Sequence, residues 1–416
     1  MNKIVAVASG TRGDVQPAVS LLSYLGKMGY DVTICGGLNL QPLAEANNIP
    51  FIPMGEDCEE FVSRAPDPTK QPIKATKALA DFVIKEMEIQ FNNLPGIAIN
   101  ADLILAVTFG FAGATVAEAL KKPFGYISYC PQLLQSNGHP ALFVKSHRHS
   151  KAVNWLSWKF FKIIFNISYR DVINKNRKNL DLPPIKDCWE HVLGEKILLA
   201  CDREYSTVPS DIKQKYYHTG YLPIPRYEAL DDDLLQFVNS GSKPVYIGFG
   251  SMTAREPEKT TKIVIEASKI AKQRIVLSSG MANLGVDREV DQNCYVVGKS
   301  SHPILFPKMA AIVHHGGSGT TATAARAGVP QIIIPHMSDQ FYFAEQIPKL
   351  GVAPESIWRK NLTSKNLSAA IDIAVSDEIM IKKCKALAEK LADHDSYVLA
   401  EKYIRADFLS SSRIDH

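Results

Sequence analysis

Short, wholly apolar runs that each stop at a glycine-bearing loop restrict most tightly what this chain can fold into. Ile4 to Ala8 ends at Ser9-Gly10-Thr11-Arg12-Gly13-Asp14, and Pro244 to Ile247 ends at Gly248-Phe249-Gly250-Ser251. Ala310 to Val313 ends at His314-His315-Gly316-Gly317-Ser318-Gly319-Thr320-Thr321. A helical pattern follows each loop. After the first, Pro17 sits where an opening turn tolerates it, and Ala18, Leu21, Leu22, Leu25 and Met28 share one face. Runs without alternation are strands buried on both sides, and helices between them imply a parallel, doubly wound sheet. Further strands are expected at Asp31–Cys35, Pro50–Pro53, Leu103–Val107, Phe124–Ser128, Lys196–Cys201 and Tyr216–Thr219. In the second half they fall at Ile275–Leu277, Cys294–Val297 and Ile332–Ile334. The expected class is α/β.

At 416 residues the chain exceeds the size at which one core keeps growing, so two domains are expected. We place them at 1–219 and 241–395, joined by a linker at 220–240 whose first part, GYLPIPRYEALDDD, is rich in Pro, Gly and acids. Residues 396–416 form a closing helix. Composition is that of an ordinary globular protein, and a net charge of +4 is too small for a nucleic-acid footprint. Seven scattered cysteines with no C-x-x-C pair point to reduced thiols and a cytoplasmic protein, against a disulfide frame or zinc site. The opening MNKIVAVA reads as a buried strand rather than a signal peptide. No apolar run approaches the ~18 residues of a spanning helix, so a soluble protein is expected.

The stretch Val313–Pro330 reads strand, glycine loop, helix. A helix N-terminus offers unpaired N–H groups and roughly +0.5 of charge, and hydroxyls in its first turn add donors, which suits a phosphate. A simple Ser/Thr-capped turn is the competing reading, though it needs no paired histidines. The first loop lacks G-x-G-x-x-G, and the second strand ends Cys35-Gly36-Gly37 with no acid for a ribose, so a dinucleotide fingerprint is absent. Asp14 follows the C-terminal end of the first strand, where such sheets place ligands, but it also suits a helix cap. His139, His147, Arg148 and His149 lack regular metal-ligand spacing, and Asp231-Asp232-Asp233 reads as a capping run; no metal is expected. The aromatic-basic stretch from Ala152 to Leu180 has three readings: a core helix, the wall of an apolar pocket, or a weak membrane-surface contact.

Five motifs in order then carry a resemblance: SGTRGDVQP at 9–17, GFGSM at 248–252, VHHGGSGTT at 313–321, RAGVP at 326–330 and DQFYFAE at 339–345. With AEAL at 117–120 and NRKNLDLPP at 176–184, the chain resembles family-one glycosyltransferases of the GT-B fold over essentially its whole length. It looks most like the branch of bacterial natural-product and sterol glucosyltransferases. The resemblance implies two Rossmann-like domains facing across a cleft, with C-terminal helices crossing back.

It also implies roles. The donor is expected to be a nucleotide sugar, UDP-glucose first, with no separate cofactor. His315 matches the diphosphate-contacting histidine, leaving His314 a structural role. Gly317, Ser318, Gly319 and Thr320 match the helix start that holds phosphate oxygens. Ser251 lies near the phosphates, and Thr11, Arg12 and Gly13 belong to the facing loop. Asp339 and Gln340 match the pair that binds donor-sugar hydroxyls, and Asp14 matches the general base. The plant family's uracil-stacking tryptophan has no counterpart near Ser301-His302-Pro303-Ile304, which leaves TDP open beside UDP. Phe109, Phe111, Trp155 and Trp158 are the acceptor-facing candidates, for a lipophilic hydroxyl-bearing molecule such as a polyphenol, macrolide or sterol. A sugar-nucleotide epimerase and a non-catalytic nucleotide-sugar or membrane-binding homologue are the alternatives.

Overall fold

The computed structural model describes residues 2–66, 71–142, 144–223, 229–250, 257–280, 284–285, 292–298 and 300–410. The apolar runs become two wholly parallel sheets. The first half runs β1 (Lys3–Ser9), α1 (Arg12–Lys27), β2 (Asp31–Gly36), α2 (Gln41–Ala46), β3 (Phe51–Pro53), α3 (Cys58–Arg64) and α4 (Pro72–Ala98). It continues with β4 (Leu103–Thr108), α5 (Gly113–Ala119), β5 (Phe124–Ser128), α6 (Lys151–Asn179), α7 (Cys188–Leu193), β6 (Lys196–Leu199) and β7 (Lys215–His218). The second half runs α8 (Asp232–Asn239), β8 (Val245–Gly248), α9 (Pro257–Ile270), β9 (Ile275–Ser278), β10 (Cys294–Val297), α10 (His302–Leu305) and β11 (Ala311–His314). It closes with α11 (Ser318–Arg326), β12 (Gln331–Ile333), α12 (Gln340–Lys349), α13 (Ser364–Ser376), α14 (Glu378–Ala392) and α15 (Ser396–Tyr403).

Strand order is β3-β2-β1-β4-β5-β6-β7 in one sheet and β10-β9-β8-β11-β12 in the other. Each order reverses at a central pair, β1/β4 or β8/β11, and ligand crevices open beyond the carboxyl ends of strands at such switch points. Ser9 pairs with Thr108 and Gly248 with His314, so the four loops that leave those strands start level with one another.

Both faces of the first sheet are covered, which is why its strands read as unbroken apolar runs. Val5 and Val7 face a cluster with Phe82, Met87 and Phe91 of α4, while Ile4, Ala6 and Ala8 face Leu21 and Leu22 of α1. That second cluster also takes in Ala400, Ile404 and Phe408, so the closing helix returns to the first half as expected. Tyr30 donates a hydrogen bond to Glu401 at 2.8 Å, and the Tyr217 and Tyr403 rings lie 5.0 Å apart. In the expected linker, residues 224–228 lie outside the described residues, and its last part is α8, whose Leu234 and Val238 belong to the second half's core. All seven cysteines are free and buried.

The structure corrects one acceptor assignment. Trp158 has no exposed surface; its indole N–H donates to the His139 carbonyl at 3.2 Å and its ring packs edge-on against Phe161. A side chain with no accessible surface lines no pocket, so Trp158 is core. Trp155, 44% exposed, lies on the outer side of the same helix with Lys159 Nζ 3.9 Å from its ring centroid. Trp158→Ala is therefore expected to cost ~3–5 kcal/mol and Trp155→Ala within ~0.5 kcal/mol, measured as shifts in the urea unfolding midpoint of the intact protein.

Candidate active site

The first wall of the site is the turn from β1 into α1. Gly10 is required by close approach, since a Cβ there would lie 2.9 Å from the Asp14 Cβ. Thr11 caps α1, and Asp14 Oδ2 accepts from the Thr11 N–H at 2.8 Å and its hydroxyl at 2.7 Å, forming a capping box. Both sequence readings of Asp14 thus meet in one residue, because the cap uses Oδ2 and leaves Oδ1 outside it. Burial raises the Asp14 pKa above the usual carboxylate value, against the two Thr11 bonds. Arg12 and Gly13 are exposed on the same turn.

The opposite wall is the loop from β11 into α11. His314 is buried, its Nδ1 accepting from Gly316 N–H at 3.1 Å and its Nε2 lying 2.9 Å from Gln331 Oε1. Burial pushes its pKa down to about 3, so it is a neutral structural residue. His315 is wedged between two glycine loops. A Cβ on Gly250 would come within 3.0 Å of its ring, and one on Gly317 within 2.5 Å. Its Nδ1 is buried with no hydrogen-bond partner among the described residues, and burial pushes its pKa down to about 4. An orphaned buried imidazole nitrogen invites a ligand atom. Beside it α11 begins at Ser318, with Gly319 and Thr320 following in its first turn, so their N–H groups have no partner within the helix. The Ser318 hydroxyl donates to the Tyr129 carbonyl of the first half at 3.2 Å.

A third loop brings in Asp339 and Gln340. Ser338, at φ 53°, turns the chain left-handed before α12. The Asp339 carboxylate accepts backbone N–H bonds from Ser318 and Gln340; burial, with the charge of Asp14 adding to it, pushes its pKa up to about 7. Gln340 Oε1 accepts from the N–H groups of His336 at 2.8 Å and Met337 at 3.1 Å, which fastens the loop. Asp14 acts electrostatically on Asp339, and Arg12 on His302, so the β1–α1 turn faces the loops of the second half across a cleft. Ser251 lies outside the described residues. Of the acceptor candidates, Phe109 is half-buried and Phe111 is 5% exposed, and their rings stand 5.9 Å apart, edge to face. Sequence reading missed the strained Thr108 (φ 52°) before Phe109, and the buried Glu86 and Gln90 beneath it.

Among the described residues, one trio has metal-ligand spacing: Asp202, Glu204 and His394. Both oxygens of Asp202 already hold the Arg326 guanidinium, at 2.6 and 2.7 Å, so a cation there would meet an arginine.

Two parallel-sheet halves with switch-point loops facing across a cleft are the GT-B arrangement. Residues 4–137 match the glycosyltransferase family 28 N-terminal domain, and residues 266–398 the erythromycin biosynthesis protein CIII-like C-terminal domain. Glycosyltransferase GtfC of Amycolatopsis orientalis is 30% identical over 380 residues, 90% of this chain and 91% of its own. Sterol 3-beta-glucosyltransferase UGT80B1 of Arabidopsis thaliana is 30% identical over 417 residues, 96% of this chain and 67% of its own. The crystal structure of glycosyltransferase VinC in complex with dTDP superposes with a TM-score of 0.69 at 17% identity, over 97% of this chain and 98% of that one. The chain belongs to this glycosyltransferase family and is an enzyme of that class.

Replacing His315 by Ala removes a hydrogen-bonding partner worth ~1.5–3 kcal/mol to a charged ligand, so calorimetric titration with a nucleoside diphosphate should show affinity falling about 10- to 100-fold. The buried neutral histidines also set an acid limit. His302, His314, His315 and His336 have folded pKa values pushed to about 4, 3, 4 and 2, below the ~6.5 of an unfolded histidine. Their stabilisation is complete above that value and is lost as pH falls toward the folded ones, because the unfolded chain then binds more protons. Asp339, raised to about 7, and Asp14 and Glu86, also raised by burial, work in the opposite sense; His139, His147, His191 and His218, lowered by burial, side with the four above. The histidines outnumber these acids, so the unfolding midpoint should fall on acidification from pH ~6.5 to ~4, and more shallowly in His314→Phe.

Proposed function

We propose that the cleft transfers a hexose, glucose foremost, from a nucleoside diphosphate sugar to a hydroxyl of a lipophilic small molecule, in one inverting displacement without a metal ion. The observation that carries this is the opposition of Asp14 to the α11 N-terminus and His315. Asp14 is a carboxylate whose burial raises its pKa toward the range useful to a general base. As the acceptor oxygen attacks the anomeric carbon, its proton passes to Asp14 and the sugar–phosphate bond breaks. The electron pair leaves on the diphosphate, where the first-turn N–H groups of α11 and the unpartnered His315 Nδ1 meet the growing charge. Those donors do for the leaving group what a bound cation does elsewhere. Attack from the face opposite the leaving group gives a β-glycoside from an α-linked donor. Asp339 and Gln340 hold the sugar hydroxyls, Asp339 from its place beside Ser318. UDP is the expected nucleotide; the dTDP bound to VinC keeps the thymidine nucleotide as the second to try. Phe109 and the aromatic interior behind it, with the sterol named for UGT80B1, favour an apolar acceptor.

The test is mass spectrometry of a polyphenol, macrolide and sterol panel incubated with UDP-glucose or TDP-glucose; a product heavier by one hexose supports transfer. A new sugar nucleotide formed without acceptor would instead indicate epimerisation. Asn at position 14 can still accept from Thr11, so Asp14→Asn should fold, bind nucleotide within about threefold of wild type, and lose about 10²- to 10⁴-fold in kcat. The rising limb of kcat/KM with pH should disappear with it, and EDTA should leave turnover unchanged.

A further inference from the structure

Helix α6 carries two apolar faces, and only one of them has a partner among the described residues. Trp158, Phe165 and Tyr169 are buried against Phe111 and Trp189. On the far side Val153, Leu156, Phe160, Ile163, Ile164 and Ile167 are 41–74% exposed. At 100° per residue these six fall within an arc of about 100°, opposite the buried side, along roughly 21 Å of helix. Scattered exposed apolar residues need no explanation, but a contiguous stripe of this kind does. The stripe ends where Asp171, Asn174 and Lys178 take over the same face.

Along the chain the stretch that carries the stripe has charge of one sign. No aspartate or glutamate occurs between Glu118 and Asp171, while Lys145, Lys151, Lys159 and Arg170 do. Lys162 is committed to Asp187 and Glu190, and Arg148 to Glu345 and Glu355. Lys159 and Arg170 border the stripe on one flank, and Lys159 lies over the ring of Trp155, an apolar body with a cation at its edge. An amphipathic helix with bulky apolar residues outward and lysines beside them matches an anionic headgroup layer, into which such helices lie with the apolar face down. No helix among the described residues is long and apolar enough to cross a membrane. A second copy on the stripe would set two basic flanks against each other.

We propose that the outer face of α6, from Val153 to Ile167, docks the protein on an anionic lipid surface. The inference stands on this helix alone and holds whether or not the transfer reaction takes the acceptors named above. The loop that precedes α6 reaches the second half through Arg148 and Glu345, 3.5 Å apart.

Sedimentation with vesicles of phosphatidylcholine mixed with phosphatidylglycerol, against phosphatidylcholine alone, tests it on the full chain without sugar donor. Wild type should bind the mixed vesicles at least about tenfold more tightly, and lose that preference at high salt. Phe160→Ser with Ile163→Ser, both on exposed side chains, should lower binding at least about tenfold with near-UV circular dichroism unchanged; Lys159→Glu should weaken binding to the mixed vesicles only. Absence of binding to mixed vesicles, or equal binding by wild type and the double variant, overturns the proposal. So does a dimer in sedimentation equilibrium that the double variant dissociates, which would make a second copy the occupant.

Discussion

Helix α11 is fastened to the other half of the molecule at both of its ends, and the cleft's geometry follows from that. Its first residue, Ser318, bonds the Tyr129 carbonyl, and its last, Arg326, forms a two-pronged ion pair with Asp202. Asp202 is wholly buried and also accepts from the Tyr205 hydroxyl at 2.7 Å and the Tyr221 N–H at 3.0 Å. Burial opposes its ionisation, yet the guanidinium and these bonds hold its pKa below the usual value. Removing one partner of such a pair costs ~3–5 kcal/mol because the other charge is stranded, so the pair contributes more to register than to net stability. It allows α11 one position relative to the first half. The helix end proposed to meet the leaving group is thereby aimed from the far end of the same short helix.

Within the cleft burial disfavours charge. Burial drives His302, His314, His315 and His336 neutral and draws Asp14 and Asp339 toward protonation. Two carboxylates facing each other cannot both ionise cheaply, and the charge of Asp14 adds to burial in raising the Asp339 pKa. Asp339 accepts from Ser318, one of the N–H groups that a phosphate would use, so a bound diphosphate must share that helix end with it. An anion there favours protonated His315 and neutral Asp339 alike. The site is thus polar and largely buried, which is the setting in which fixed donors act most strongly.

Sequence and structure agree where local chemistry decides and part where distance does. Unbroken apolar runs between glycine loops mark a parallel sheet covered on both faces, but the strand orders, with switch points at β1/β4 and β8/β11, are set by pairing across the chain. Asp339, six residues beyond β12, came only from the family resemblance, whereas Asp14, His315 and Ser318 were legible as strand-end residues beside glycines. The Asp202–Arg326 pair was not, since its partners are 124 residues apart. Nor could a helix apolar on nearly every side disclose which of Trp155 and Trp158 points inward. The matching stretches AEAL and NRKNLDLPP turn out to meet each other: buried Arg177 grips Glu118 at 2.7 and 2.9 Å and the Pro183 carbonyl at 2.7 Å, a packing role away from the cleft.

Helix α4 was the largest omission, and its buried polar residues explain both why it was missed and what it does. Glu86 and Gln90 interrupt the apolar stripe made by Phe82, Val83, Met87, Phe91 and Leu94, so no clean amphipathic pattern survives. Those two side chains, one turn apart, hold two strand-end loops. Glu86 Oε1 accepts the Glu56 N–H at 2.6 Å just after β3, where Gly55 (φ 117°) leaves room for the carboxylate. Gln90 donates to the Phe109 carbonyl at 3.0 Å and accepts the Ala112 N–H at 3.2 Å just after β4. The left-handed Thr108 beside that clamp costs ~1–2 kcal/mol for a β-branched residue, and it persists because Tyr126 also fixes its carbonyl at 2.8 Å. Phe109 is therefore placed by a strained backbone held from two sides rather than by packing alone. The loops on the first half's side of the cleft share one rigid support, and α11 gives the opposite wall its own.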